Sequence, residues 1–235
     1  MSTLVGVYTT RAGQTSTYWA TTLAWALAEK RTVLLVDCDM EGGTIADLLY
    51  LRVEDRSIGS LFADRLARPD ELADQALPVP RRPNLRVVPG LRGGYGLEIS
   101  EALRRLEPAV RNQPDDVVVV DLGHPLAHPL LRSPRGAAET IASLFHRTFV
   151  VLRDDPALVA RSIEVLRDAQ PPQGELILCQ QRSRAMRREL VDTLGRELPA
   201  LPVRGAWAWD ERRATRMGDS GVPMTLAGMA REVGL

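Results

Sequence analysis

The amino-acid sequence predicts a doubly wound α/β domain, a mostly parallel sheet with helices on both faces. Three observations carry this. Short apolar runs alternate with helical stretches along all 235 residues, as repeated strand–helix–strand crossovers require. The run 115–121, DDVVVVD, is unbroken between acids, the pattern of a central parallel strand buried on both faces. Residues 3–39 read as one strand–loop–helix–strand unit with small residues at the mouth of the helix.

Taken in order, 4–8 is a buried strand, 10–17 a loop of small and polar residues, and 16–30 a helix. Strand 33–36 closes on Asp37 and Asp39, and a Gly turn leads to a short helix in MEGGTIADLLYL. Two short helices suit 57–77, one capped by Ser57 and one opened by Pro69-Asp70. A proline-rich connector, 78–83, precedes the strand LRVVPG at 85–90 and the turn RGGYG at 92–96. Helix 97–111 puts Ile99, Leu103, Leu106 and Val110 on one face. After strand 115–121 come a long loop at 123–136, a helix at 137–145 and a strand at 147–152. Asp155-Pro156 opens a helix that Gln170-Pro171-Pro172 ends. A strand at 175–180, a basic helix at 182–198, a weaker strand at 202–207 and helices near 211–217 and 224–232 complete one domain, 1–235.

Thirty basic and thirty acidic side chains balance, so there is no global pull toward nucleic acid or acidic membrane. Apolar runs are strand length, too short to span a bilayer, and no signal segment is expected. Cys38 and Cys179 fall in buried strands and read as core thiols in a reducing cytoplasm.

The loop at 10–17 is where phosphate binds in such units, because helix N-terminal N–H groups and the macrodipole favour an anion. The stretch 11–28, RAGQTSTYWATTLAWALA, resembles the ParA/MinD family of P-loop ATPases, whose deviant Walker A signature is KGGxGKTT followed by a helix like VAVNLAAALA. In that register Arg11 takes the place of the signature lysine, Ala12 and Gly13 stand at the two glycines, and Gln14 is the variable position. Thr15 replaces the third glycine, Ser16 the phosphate-binding lysine, Thr17 falls on the magnesium-ligating hydroxyl and Tyr18 on the second threonine. VLLVDCD, with Asp37 and Asp39, matches the family's VLLIDxD, and VVVVD, ending in Asp121, matches Walker B.

The resemblance implies ATP or ADP with Mg2+ on residues 11–18, the metal on Thr17 and Asp121, and Asp39 with Asp37 as the catalytic acids if the protein is active. Gln180 ends the strand where relatives place an adenine-reading asparagine. The departures cut against turnover. Ser16 brings no charge to the β- and γ-phosphates. Lys30, the sole lysine, lies at the far end of the helix, about 20 Å off at 1.5 Å per residue. Arg11 is the nearby cation, and its fork suits phosphate.

The favoured reading is a degenerate member, closest in kind to the TadZ/CpaE branch: a dimeric positioning or assembly scaffold that binds nucleotide weakly or without efficient hydrolysis. An empty relic loop stays open beside it. Its partner would be a pilus, secretion or partition machinery, and its place the cytoplasm, with recruitment to a pole, a membrane-associated complex or the nucleoid. One alternative is a working ATPase in which Arg11 compensates for the missing lysine. Another is a dimer that binds DNA nonspecifically through Arg182, Arg184, Arg187, Arg188, Arg204, Arg212, Arg213 and Arg216, although interspersed acids dilute that patch. His124 and His128 are each followed by proline, which argues against a helical metal pair. Trp207 and Trp209 alternate on a strand, and the tail PMTLAGMAREVGL suits packing on the domain better than membrane.

Overall fold

A computed structural model describes residues 2–13, 15–62, 67–92, 98–127, 131, 133–180 and 184–208, with backbone alone at 180, 184–186 and 206–208. The expected helices near 211–217 and 224–232 lie outside these residues, as do Gln14, His128, Arg182 and Trp209.

Eight strands form one sheet: β1 (Thr3–Tyr8), β2 (Val33–Asp37), β3 (Leu77–Pro78), β4 (Leu85–Val88), β5 (Val117–Asp121), β6 (Arg147–Arg153), β7 (Glu175–Gln180) and β8 (Val203–Ala208). Their order is β3-β4-β2-β5-β1-β6-β7-β8. Every pairing is parallel except β3 with β4. The helices are α1 (Ser16–Leu27), α2 (Ile45–Leu48), α3 (Pro69–Gln75), α4 (Ile99–Arg111), α5 (Pro134–Leu144), α6 (Pro156–Ala169) and α7 (Arg184–Glu197). Short 3-10 turns occupy Ile58–Leu61 and Pro125–Ala127.

Strand side chains alternate between two apolar layers, because successive Cβ atoms point to opposite faces. Val5, Val7, Val33, Leu35, Val117, Val119, Phe149 and Val151 meet α1 and α2. Leu4, Leu34, Val36, Val118, Val120, Val150 and Leu152 meet α3 to α7. The doubly wound arrangement is therefore the one expected, and burial on both sides explains why the central strands are nearly all Val, Ile and Leu. Trp19 of α1 locks onto Phe149 of β6 with ring centroids 5.0 Å apart.

Several boundaries differ from expectation. The first helix stops at Leu27 rather than 30, where the Ala28 N–H closes on the Ala24 carbonyl. Where the expected helical stretch 57–77 meets the connector 78–83, Leu77–Pro78 instead pairs antiparallel with β4, since an edge strand tolerates a proline that donates nothing. The expected loop 123–136 contains a 3-10 turn and the start of α5, which Ser133 caps by accepting the Gly136 N–H at 3.0 Å.

Candidate functional site

The C-terminal ends of β1, β2, β5 and β6 converge on the loop before α1. Thr9 N–H donates to the Gly123 carbonyl at 2.8 Å, so the loop leaves the sheet pinned to the chain that follows β5. Thr10 and Ser162 share a hydroxyl hydrogen bond of 2.7 Å, which ties the same loop to α6. Gly13 then turns with φ +76° and Thr15 with φ +70° and ψ +16°. Thr15 is thus a left-handed threonine at the mouth of α1, a conformation that glycine adopts without cost and a Cβ makes unfavourable. The Thr15 side chain hydrogen-bonds Cys179 at the end of β7 and makes no cap bond to α1. The first-turn N–H groups of α1 have no intrahelical acceptors, as at any helix start. Arg11, Ala12 and Gly13 are exposed, Ser16 is buried, and Thr17 and Tyr18 are half-buried.

The acids gather because β2 and β5 are neighbours in register, with Asp37 opposite Asp121. Both are buried, at 1% and 0% exposure. Asp37 Oδ2 accepts the Ile45 N–H at 2.9 Å and Oδ1 the Asp39 N–H at 3.4 Å. Its carboxylate thereby fastens the turn from β2 into α2. Two glycines make this approach feasible: a Cβ on Gly43 would lie 2.5 Å from Asp37 Oδ2 and 2.5 Å from the Gly90 Cα. Asp39 is half-buried, accepts the Glu41 N–H on Oδ1 at 3.0 Å, and lies against Gly123. Gly123 has φ +61°, and a Cβ there would sit 2.5 Å from Asp39 Cγ.

Asp121 Oδ1 accepts the Gly123 N–H at 3.2 Å, while Oδ2 is buried without a hydrogen-bond partner. The Thr17 hydroxyl lies beside this carboxyl and pulls its pKa down, though not enough to offset burial and the neighbouring Asp37, which raise it. Burial likewise raises Asp37, against the backbone N–H groups that lower it. An orphaned carboxylate oxygen next to a threonine hydroxyl, at the mouth of a helix, fits a divalent cation carried in with a phosphate ligand. Among the described residues, no group of three or more His, Cys, Asp or Glu is placed to hold a metal unaided.

Other expected residues fall as follows. Gln180 ends β7, with its backbone alone described. His124 pairs with Glu41, Nε2 to Oε1 at 3.0 Å, on the rim of a small recess that Asp39, Ile99, Leu122 and Pro125 also line. Arg187 is half-buried, Arg188 exposed, and Arg204 lies 3.4 Å from Glu175; Arg212, Arg213 and Arg216 are outside the described residues. Cys38 and Cys179 are buried free thiols. Among the described residues no helix is long and apolar enough to cross a membrane.

The sequence reading missed Arg153. It ended the strand at 152, yet β6 runs on to Arg153, whose Nη1 donates to the Gly13 carbonyl at 3.4 Å. The available signal was a cation at the C-terminal end of an apolar strand.

The sequence matches no protein-family model and no curated protein. The fold has many counterparts. It is similar to the MinC:MinD cell division protein complex of Aquifex aeolicus, with a TM-score of 0.72, 14% identity, and coverage of 94% of this chain and 87% of that one. The ParA family ATPase of Chlorobium tepidum TLS aligns with a TM-score of 0.70, 17% identity and coverage of 94% and 90%. The septum site-determining protein MinD of Pyrococcus horikoshii OT3, complexed with Mg-ADP, gives 0.63, 15% identity and coverage of 95% and 87%. This chain, with its eight-stranded and mostly parallel sheet, thus has the P-loop α/β fold of those ParA and MinD proteins.

Proposed function

We propose that this protein is a degenerate ParA/MinD-like nucleotide switch. It binds ATP or ADP with Mg2+ at the mouth of α1, hydrolyses it slowly or not at all, and acts as a dimeric positioning or assembly scaffold. The observation that carries the reading is the orphaned, fully buried Oδ2 of Asp121 beside the Thr17 hydroxyl, under a loop that keeps left-handed turns at Gly13 and Thr15. Asp121 and Thr17 would hold the metal, and residues 11–18 the phosphates through backbone N–H groups. Mg2+ there supplies neutralisation of phosphate charge. Ser16, in the lysine position, supplies none. Losing one such electrostatic contact typically costs on the order of 100–1000-fold in rate, which leaves binding as the working output.

Asp37 is committed to the backbone of the β2–α2 turn, whereas Asp39 is half-buried against Gly123. The MinD of the Aquifex complex is held with a partner protein, MinC, which supports a protein partner for this chain as well. Pilus or secretion machinery would suit, as in the TadZ/CpaE branch, and so would partition machinery, with recruitment from the cytoplasm to the site of assembly.

Titration with a fluorescent ATP analogue tests the reading. Binding should require Mg2+, weaken strongly in Asp121→Asn, and release phosphate at no more than background rate. Absence of binding with and without Mg2+ overturns it. The working-ATPase reading is favoured by one observation: Arg11 is exposed at the loop mouth, where a partner's nucleotide could meet it. Brisk turnover lost in Asp39→Ala would establish that reading instead.

A further inference from the structure

We propose that Arg153 is the cation this chain presents to the phosphates from within the same subunit. The inference rests on the reading above, that the loop before α1 takes a Mg2+-nucleotide.

Strand order sets up the geometry. β1 lies between β5 and β6, so the loop that leaves β1 is flanked by the chain ends of both. The β5 flank carries the acid, Asp121, with the Thr17 hydroxyl against it. The β6 flank carries Arg153, whose Nη1 reaches the Gly13 carbonyl at 3.4 Å. Metal-binding acid and guanidinium therefore stand on opposite sides of one loop. A phosphate chain seated between them meets the divalent cation on one side and the guanidinium on the other.

Register fixes where the guanidinium sits. Arg153 pairs with Cys179 across β6 and β7, and Cys179 is the group that the Thr15 side chain bonds. Gly13 and Thr15, the two left-handed residues of the loop, are thus both gathered on the Arg153 side. Asp155, two residues on, caps α6 through the Ala157 and Leu158 N–H groups and fixes the backbone that Arg153 leaves. A guanidinium is planar, stays charged, and matches phosphate oxygens in pairs. A lysine in the Ser16 position would rise from the helix, inside the loop; Arg153 enters from the adjacent strand, over its edge. The phosphates gain a positive neighbour, but from a direction that a helix lysine does not use.

The test compares the intact protein with Arg153→Gln and Arg153→Lys, using a fluorescent ATP analogue and inorganic triphosphate as competitor, both with Mg2+, over a salt series. Arg153→Gln should weaken both ligands about 10–100-fold and flatten the salt dependence of binding. Arg153→Lys should keep the salt dependence while recovering part of the affinity. Melting curves for all three proteins verify that the fold persists. The inference is overturned if Arg153→Gln binds triphosphate as the parent does, and equally if affinity drops with no change in salt dependence, since a guanidinium that only braces the Gly13 carbonyl gives that pattern. Both results leave nucleotide binding by the parent intact and so spare the proposed function. Absence of Mg2+-dependent binding by the parent itself removes both.

Discussion

At the scale of single residues, Thr15 shows how a site can keep its backbone and change its side chains. Its left-handed conformation costs about 1–2 kcal/mol for an L-residue with a Cβ. Thr15→Gly should therefore stabilise the protein by about 1 kcal/mol, less what the lost bond to Cys179 contributes, and a denaturant midpoint reads it. Adding Ser16→Lys should then tighten ATP-analogue binding at least about tenfold, because a cation is restored inside the loop. Asp37 and Asp121 make a pH prediction. Both carboxyl pKa values are raised in the fold by burial, so the folded protein keeps protons that the unfolded chain has lost. Stability from this source is fully present below the unfolded value, about 4, and is lost as pH rises through the higher folded values. Without nucleotide, the melting temperature should fall between about pH 5 and 8, and Asp121→Asn should reduce that fall. The places of the acids and of the loop were legible in the sequence, because apolar runs close on Asp37 and Asp121 and small residues precede α1. The glycine contacts at 43, 90 and 123 were not, since each depends on a neighbour distant in the chain.

Elements were legible where a stop or start has a local cause. The Asp155-Pro156 pair announced α6, and the structure supplies the reason: Asp155 Oδ1 accepts the Ala157 N–H at 2.9 Å and the Leu158 N–H at 3.2 Å. Asp155→Ala should cost about 1 kcal/mol, measurable by chemical denaturation. Ser57 capped its turn as expected, accepting the Gly59 N–H at 3.1 Å. Ser133-Pro134 carries the same kind of signal and was passed over, because it sits among the prolines of a stretch that reads as loop. The edge strand Leu77–Pro78 could not be read locally at all. Two residues have no period, and only the presence of β4 beside them makes them a strand.

For the whole molecule, alternation of strand and helix was enough to give the class and the parallel sheet, while the order of strands follows from crossovers that no local pattern encodes. That order is what assembles acids from β2 and β5 and a cation from β6 around one loop. If the exposed Arg11 serves a second copy of the chain, self-association should rise with Mg2+ and ATP and weaken several-fold in Arg11→Ala, as sedimentation velocity would report. One contact under the acids has a wider reach. Gly43 and Gly90 meet backbone to backbone around Asp37, with no room for even a methyl group. The Gly90 carbonyl takes the Ser57 hydroxyl at 2.9 Å, and the Pro89 carbonyl takes the Ile58 N–H at 2.8 Å. Three chain segments are meshed there like teeth without backlash. The carboxylate of Asp37 and the Ile58–Leu61 turn are therefore held in one unbroken chain of close contacts, so a change of backbone at either glycine disturbs both.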